Sequence, residues 1–205
     1  MNISLFVTVA AATLSFSAVA QANTIVDTGT PRGANDYSLN SGQSLAGYFG
    51  IANATVISGV QGYISNFSAP GSVTATLYSD GSVPDAANTL FTTTFMVPTS
   101  GFRNYDWFGA TGLNWAVGAG NYWLSFATDS GMTMLDGAPS PLTRYAFSDG
   151  ANYRQSNGLG IGVRVFDNIA AVPEPATWAM MIGGMGVVGG AMRRRRSLKT
   201  NISFA

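Results

Sequence analysis

Aspartate is the only side-chain acid available to most of this chain. Asp27, Asp36, Asp80, Asp85, Asp106, Asp129, Asp136, Asp149 and Asp167 precede the single glutamate, Glu174, and neither Cys nor His occurs in the 205 residues. Without a thiol there is no disulfide framework, thiolate nucleophile or zinc–thiolate site. Without an imidazole there is no Ser-His-Asp triad and no HExxH metal motif. Two carboxylates about 5 to 10 Å apart would suit glycoside hydrolysis, but no aspartate sits in a recognisable catalytic context and no GxSxG elbow occurs. The expectation is a protein that is not an enzyme, with no catalytic residues, no cofactor and no metal. The loops Asp80 to Asn88 and Asp129 to Asp136 carry oxygen ligands of the kind Ca²⁺ takes, yet lack EF-hand spacing and read as turns.

Aromatic residues are the other candidates. Trp107, Trp115 and Trp123, with Tyr105, Tyr122, Tyr145 and Tyr153, supply ring faces on which sugars stack, although aromatics in sandwich folds mostly fill the core. Trp123 is the candidate stacking residue, because strand alternation places it opposite Tyr122, Leu124 and Phe126.

The elements that must position these residues are strands. Apolar alternation at period two is clearest in Val73, Ala75 and Leu77 and in Tyr122, Leu124 and Phe126. Strands are expected at 44–51, 55–65, 72–79, 90–97, 106–108, 113–117, 122–128, 132–135 and 159–166. Residues 24–40 read as an edge strand and loop, and 137–157 as a long loop with at most one short strand around Tyr145. Gly, Pro, Asn, Asp and Ser separate the runs, and nothing between the chain's ends keeps a 3.6-residue period. The expected fold is all-β, an antiparallel β-sandwich with jelly-roll-like connections.

Both ends differ from this middle. Ile3 to Val19 is apolar and Ala20-Gln21-Ala22 is an A-x-A cleavage site, so residues 1–22 read as a secretory signal peptide. That leaves 23–171, about 150 residues, as one exported domain large enough for a core of its own. Five arginines against nine aspartates leave this domain at minus four, which excludes a nucleic-acid partner. Near the other end, Val172-Pro173-Glu174-Pro175 is followed by Ala176 to Met192 without a charge, then Arg193, Arg194, Arg195 and Arg196. The prolines bar a helix before Pro175. The uncharged run would rise about 25 Å as a helix, the lower limit for a membrane span. Clustered arginines keep their side cytoplasmic, so residues 197–205 read as a cytoplasmic tail.

Residues 172–196 resemble a PEP-CTERM sorting signal in its PEPxxWA form. Pro173, Glu174, Pro175, Trp178 and Ala179 fit position by position, and Gly183, Gly184, Gly186, Gly189 and Gly190 with the arginine cluster fit the rest. The resemblance covers about an eighth of the chain. It implies export through the Sec translocon with signal peptidase cleavage after Ala22, transient single-pass residence in the inner membrane of a Gram-negative bacterium, and recognition by an exosortase-type transpeptidase. Release to the outer surface or the extracellular matrix would follow. A second resemblance lies in Ser72-Val73-Thr74-Ala75-Thr76-Leu77-Tyr78-Ser79-Asp80 with Pro84, and in Ala119-Gly120-Asn121-Tyr122-Trp123-Leu124, which are similar to choice-of-anchor domains, secreted β-sandwiches. The role these resemblances imply is structural or adhesive, in association with exopolysaccharide or biofilm. The alternatives are a lectin-like carbohydrate-binding module and, behind it, a glycan-active enzyme or an ice-binding protein.

Overall fold

Turn-forming residues cut the middle of the chain into runs that keep a period of two and not of 3.6, and each run must bury one face against another. The computed structural model describes residues 23–136, 141–167, 184–186 and 188–190. The chain divides into two units, of which 21–169 is the larger. Its described residues form twelve strands: β1 Asn23–Asp27, β2 Asp36–Leu39, β3 Ser44–Ile51, β4 Thr55–Asn66, β5 Gly71–Ser79, β6 Thr89–Val97, β7 Asp106–Val117, β8 Gly120–Thr128, β9 Met132–Leu135, β10 Arg144–Ser148, β11 Tyr153–Gln155 and β12 Val163–Asp167. A 3₁₀ turn, Ala86–Asn88, is capped by the Asp85 carboxylate, which accepts from the Ala87 amide.

All pairings are antiparallel. The first sheet has β4 at its centre: β7 runs along one edge, and β12 and β9 lie end to end along the other, extended by β1 and β2. The second runs β11-β10-β3-β8-β5-β6. Within them, β2-β9-β4-β7 faces β3-β8-β5-β6, and from β2 to β9 the chain changes sheet at every step except the β5–β6 hairpin. That is the connectivity of a jelly roll, with β1 and β12 added to one sheet and β10 and β11 to the other.

The core between the sheets follows from alternation. Val60 and Ile64 on β4 and Val163 and Val165 on β12 meet Val73, Ala75 and Leu77 on β5 and Tyr122, Leu124 and Phe126 on β8. Both faces expected from the sequence are therefore the inner ones. Burial of this apolar surface, at about 25 cal/mol per Å², is what holds a domain that has no disulfide.

Four expectations are corrected. The run 159–166 is strand only from Val163, as β12. The runs 106–108 and 113–117 are one strand, β7, although two glycines interrupt it. Gly109 lies so close to β4 that a Cβ there would stand 1.9 Å from the Val60 carbonyl oxygen, and Gly112, at φ +71, occupies the left-handed conformation where β7 slips register against β4. Residues 24–40 contain two strands, not one. The loop 137–157 holds β10 around Tyr145 and also β11, a three-residue strand.

The signal peptide, residues 1–22, and most of the tail lie outside the described residues. Residues 184–186 and 188–190 are helical. Among the described residues no helix is long and apolar enough to cross a membrane.

Candidate functional site

The β-unit has two outward sheet faces, and each carries an aromatic group. On the β3-β8-β10 face, alternation turns Trp123 outward, as its sequence implies. It is nevertheless fully buried, at 0% exposure. Ala46, Tyr48 and Ala146 pack against it, with Tyr78, Val83 and Tyr153 around them. The indole N–H donates to the Gly81 carbonyl at 3.1 Å, and the Tyr48 ring lies 4.9 Å away. The Arg144 guanidinium covers both rings, 3.6 Å from Tyr48 and 5.3 Å from Trp123. Trp123 is thus corrected from an open stacking platform to the centre of a small second core, because the loop after β5 and the β10–β11 hairpin close over it.

Charge seals this cover. The Tyr48 hydroxyl donates to Asp80 Oδ1, and the Arg144 guanidinium stands 3.7 Å from the same oxygen. Burial, with Asp80 adding to it, pushes the Tyr48 phenol above its ordinary range. Burial likewise raises Tyr153 to about 12.

The other face is different. Tyr63 on β4 and Trp107 on β7 are direct cross-strand neighbours, with centroids 5.1 Å apart, and Tyr105 stacks on Tyr63 at 5.7 Å. All three rings are only partly buried. An ion pair holds each end of the row. At one, Arg103 Nε lies 2.8 Å from Asp36 Oδ2, while the Tyr105 hydroxyl donates to Asp36 Oδ1 at 2.6 Å. At the other, Arg164 pairs with Asp27 across β12 and β1 at 3.2 Å and lays its guanidinium 3.9 Å over the Trp107 ring. The Tyr105 hydrogen bond, helped by Arg103, holds the Asp36 carboxyl below the usual range. Tyr105 itself rises to about 12, first through burial and then through Asp36.

The remaining aromatic candidates scatter. Trp115 is buried and stacks on Phe91 at 5.5 Å. Tyr122 is core, and Tyr145 packs against the core from its edge. Tyr63, Tyr48 and Arg164 were not among the sequence candidates. The signal for Tyr63 was present, since Val60 and Ile64 face inward and the residue between Gly62 and Ile64 must face out.

A separate cleft of about 430 Å³ opens beside Tyr37, Leu45, Phe147, Arg154, Gln155 and Leu159. None of its described lining residues is a carboxylate. Among the described residues no three acidic side chains converge as a metal site would require. Asp80 and Asp85, candidate calcium ligands, accept instead from the backbone amides of Gly81 and Ala87.

The sorting residues Pro173, Glu174, Pro175, Trp178, Ala179 and Arg193 to Arg196, and the cleavage residues Ala20 and Ala22, lie outside the described residues. Residues 171–196 match the PEP-CTERM protein-sorting motif. The chain therefore carries the tail by which an exported protein is held transiently at the membrane and handled by an exosortase-type membrane enzyme. No curated protein matches the chain.

Proposed function

We propose that this is a non-catalytic surface protein, exported through the Sec translocon, cut after Ala22, sorted through its tail and deployed in an exopolysaccharide or biofilm matrix as a structural or adhesive component. The observation that carries the reading is the sorting motif at 171–196. Support for the passenger's role comes from the Tyr105-Tyr63-Trp107 row, whose partly exposed rings lie beside carboxylate and guanidinium groups, the pairing that suits sugar rings and their hydroxyls. The same row supports a lectin-like reading. The two part on affinity: a lectin saturates with a short oligosaccharide, whereas a matrix component is retained only by polymer.

Topology and retention test this. A reporter active only in the cytoplasm should work when fused after Ala205 and fail when fused after Phe166. In native gels cast with the producer's exopolysaccharide, the released protein should be retarded and its Trp107→Ala variant should not, with stability changed by about 1 kcal/mol. Migration unchanged by polymer would defeat the adhesive reading, and release of reducing sugar by the purified protein would defeat the non-catalytic one.

A further inference from the structure

Asp167 ends the last strand of the β-unit with its side chain turned inward. It follows Val163 and Val165 on the core side of β12 and is 6% exposed. Its Oδ2 accepts from the Thr55 hydroxyl at 3.4 Å. Its Oδ1 has no partner, the one buried side-chain oxygen or nitrogen in that state among the described residues. A buried carboxylate half satisfied in this way is costly, and no cation of the β-unit serves it. Arg103, Arg144, Arg154 and Arg164 pair with Asp36, Asp80, Asp149 and Asp27. Arg32 lies in the loop after Thr28, whose amide bonds to Val163 at the opposite end of β12. No lysine precedes Lys199.

The residue that faces Asp167 across the β1–β12 ladder is Asn23, the first residue after Ala20-Gln21-Ala22. Facing residues in an antiparallel pair have Cα atoms about 4.5–5.5 Å apart, and the backbone nitrogen is about 1.5 Å from its own Cα. That spacing brings the Asn23 nitrogen, at the exposed start of β1, into the neighbourhood of Asp167, with no hydrogen bond to Oδ1 in the uncut chain. In the uncut chain it is a neutral amide. Hydrolysis of the Ala22–Asn23 peptide bond leaves the carboxylate on Ala22 and a protonated amine on Asn23.

We infer that signal-peptide removal completes the fold: the α-ammonium freed on Asn23 pairs with Asp167 Oδ1 and fastens β1 to β12. The inference rests on the export reading above, because it needs cleavage at that bond. Its consequence is that the sheet edge carrying both ends of the domain is secured only after the chain has crossed the membrane. The absence of lysine from the domain makes the new amine chemically distinct.

The test uses the exported protein isolated from its host, in which removal of the tail with Lys199 leaves Asn23 the sole primary amine. Intact mass first establishes the N-terminus. Acetylation of that amine should then lower the melting temperature by about 5 °C or more near neutral pH, as loss of one partner of a buried pair does in a domain of this size. In the Asp167→Asn variant acetylation should leave the melting temperature unmoved. An N-terminus at Asn23 with no shift on acetylation, or with equal shifts in both proteins, overturns the pairing and leaves the export reading intact. An N-terminus elsewhere overturns the cleavage assignment and the pairing with it.

Discussion

Trp107 and Trp123 stand on outward faces of the two sheets, yet one is partly open and the other is as buried as any core residue. Strand alternation turned both away from the main core. What separates them is cover. Trp107 has only a guanidinium over its ring and same-face neighbours beside it, whereas Trp123 lies beneath a loop, a hairpin, a buried tyrosine and an arginine. Period two fixes the face a residue occupies; accessibility depends on what distant segments lay across that face. The covered side has become structure, and the open side keeps its rings partly exposed, where the proposed adhesive role would place the polymer.

The sharpest way to break this contrast is to truncate each tryptophan. Trp123→Ala should cost about 3–5 kcal/mol, the loss expected for a large buried aromatic, against about 1 kcal/mol for Trp107→Ala, measured by chemical denaturation. Comparable losses would mean the two faces are equally covered. A smaller effect is expected from Arg144→Ala. It removes the cationic lid from Tyr48 and Trp123 and should cost about 1 kcal/mol, with a red shift and increased iodide quenching of Trp123 fluorescence. An unshifted indole would show that the loop and hairpin suffice as cover without the arginine.

A further effect is alkaline. Tyr105 on the open face and Tyr153 on the covered face both titrate at about 12 in the folded protein, against an ordinary value of 10.0. Because the folded values are raised, their contribution to stability is complete below pH 10 and is lost as pH climbs toward 12. Tyr105→Phe and Tyr153→Phe should each flatten the fall in melting temperature over that window. A variant that leaves the fall unchanged identifies a phenol that burial does not protect.

Much of the sandwich was legible because turn residues punctuate it, giving β3 and β9 their expected bounds, and because β5 and β8 alternate. The long β7 was not, since Gly109 and Gly112 look like a turn until the close approach to Val60 and the register slip give each a use inside a strand. β11 escaped because Tyr153-Arg154-Gln155 is too short to show a period. The candidate site was half legible. Tyr105 and Trp107 were visible as neighbours in sequence, but Tyr63, Arg164, Asp36 and Asp27 join them only through the ladders of β4, β12, β2 and β1. The burial of Trp123 was beyond reach for the same reason, as its cover comes from Gly81, Arg144 and Tyr153.

The sorting segment is where sequence carries the account furthest, through a motif and not through packing. In the proposed sorting, Pro173, Glu174 and Pro175 direct processing of an exported β-sandwich. The direct measurement is cell fractionation with intact-mass analysis of the wild type beside a chain carrying Pro173→Ala, Glu174→Ala and Pro175→Ala. The wild type should leave the membrane without its arginine-bearing tail, while the variant should stay in the inner membrane with residues 23–205 intact. Release of the variant at the normal mass would contradict this.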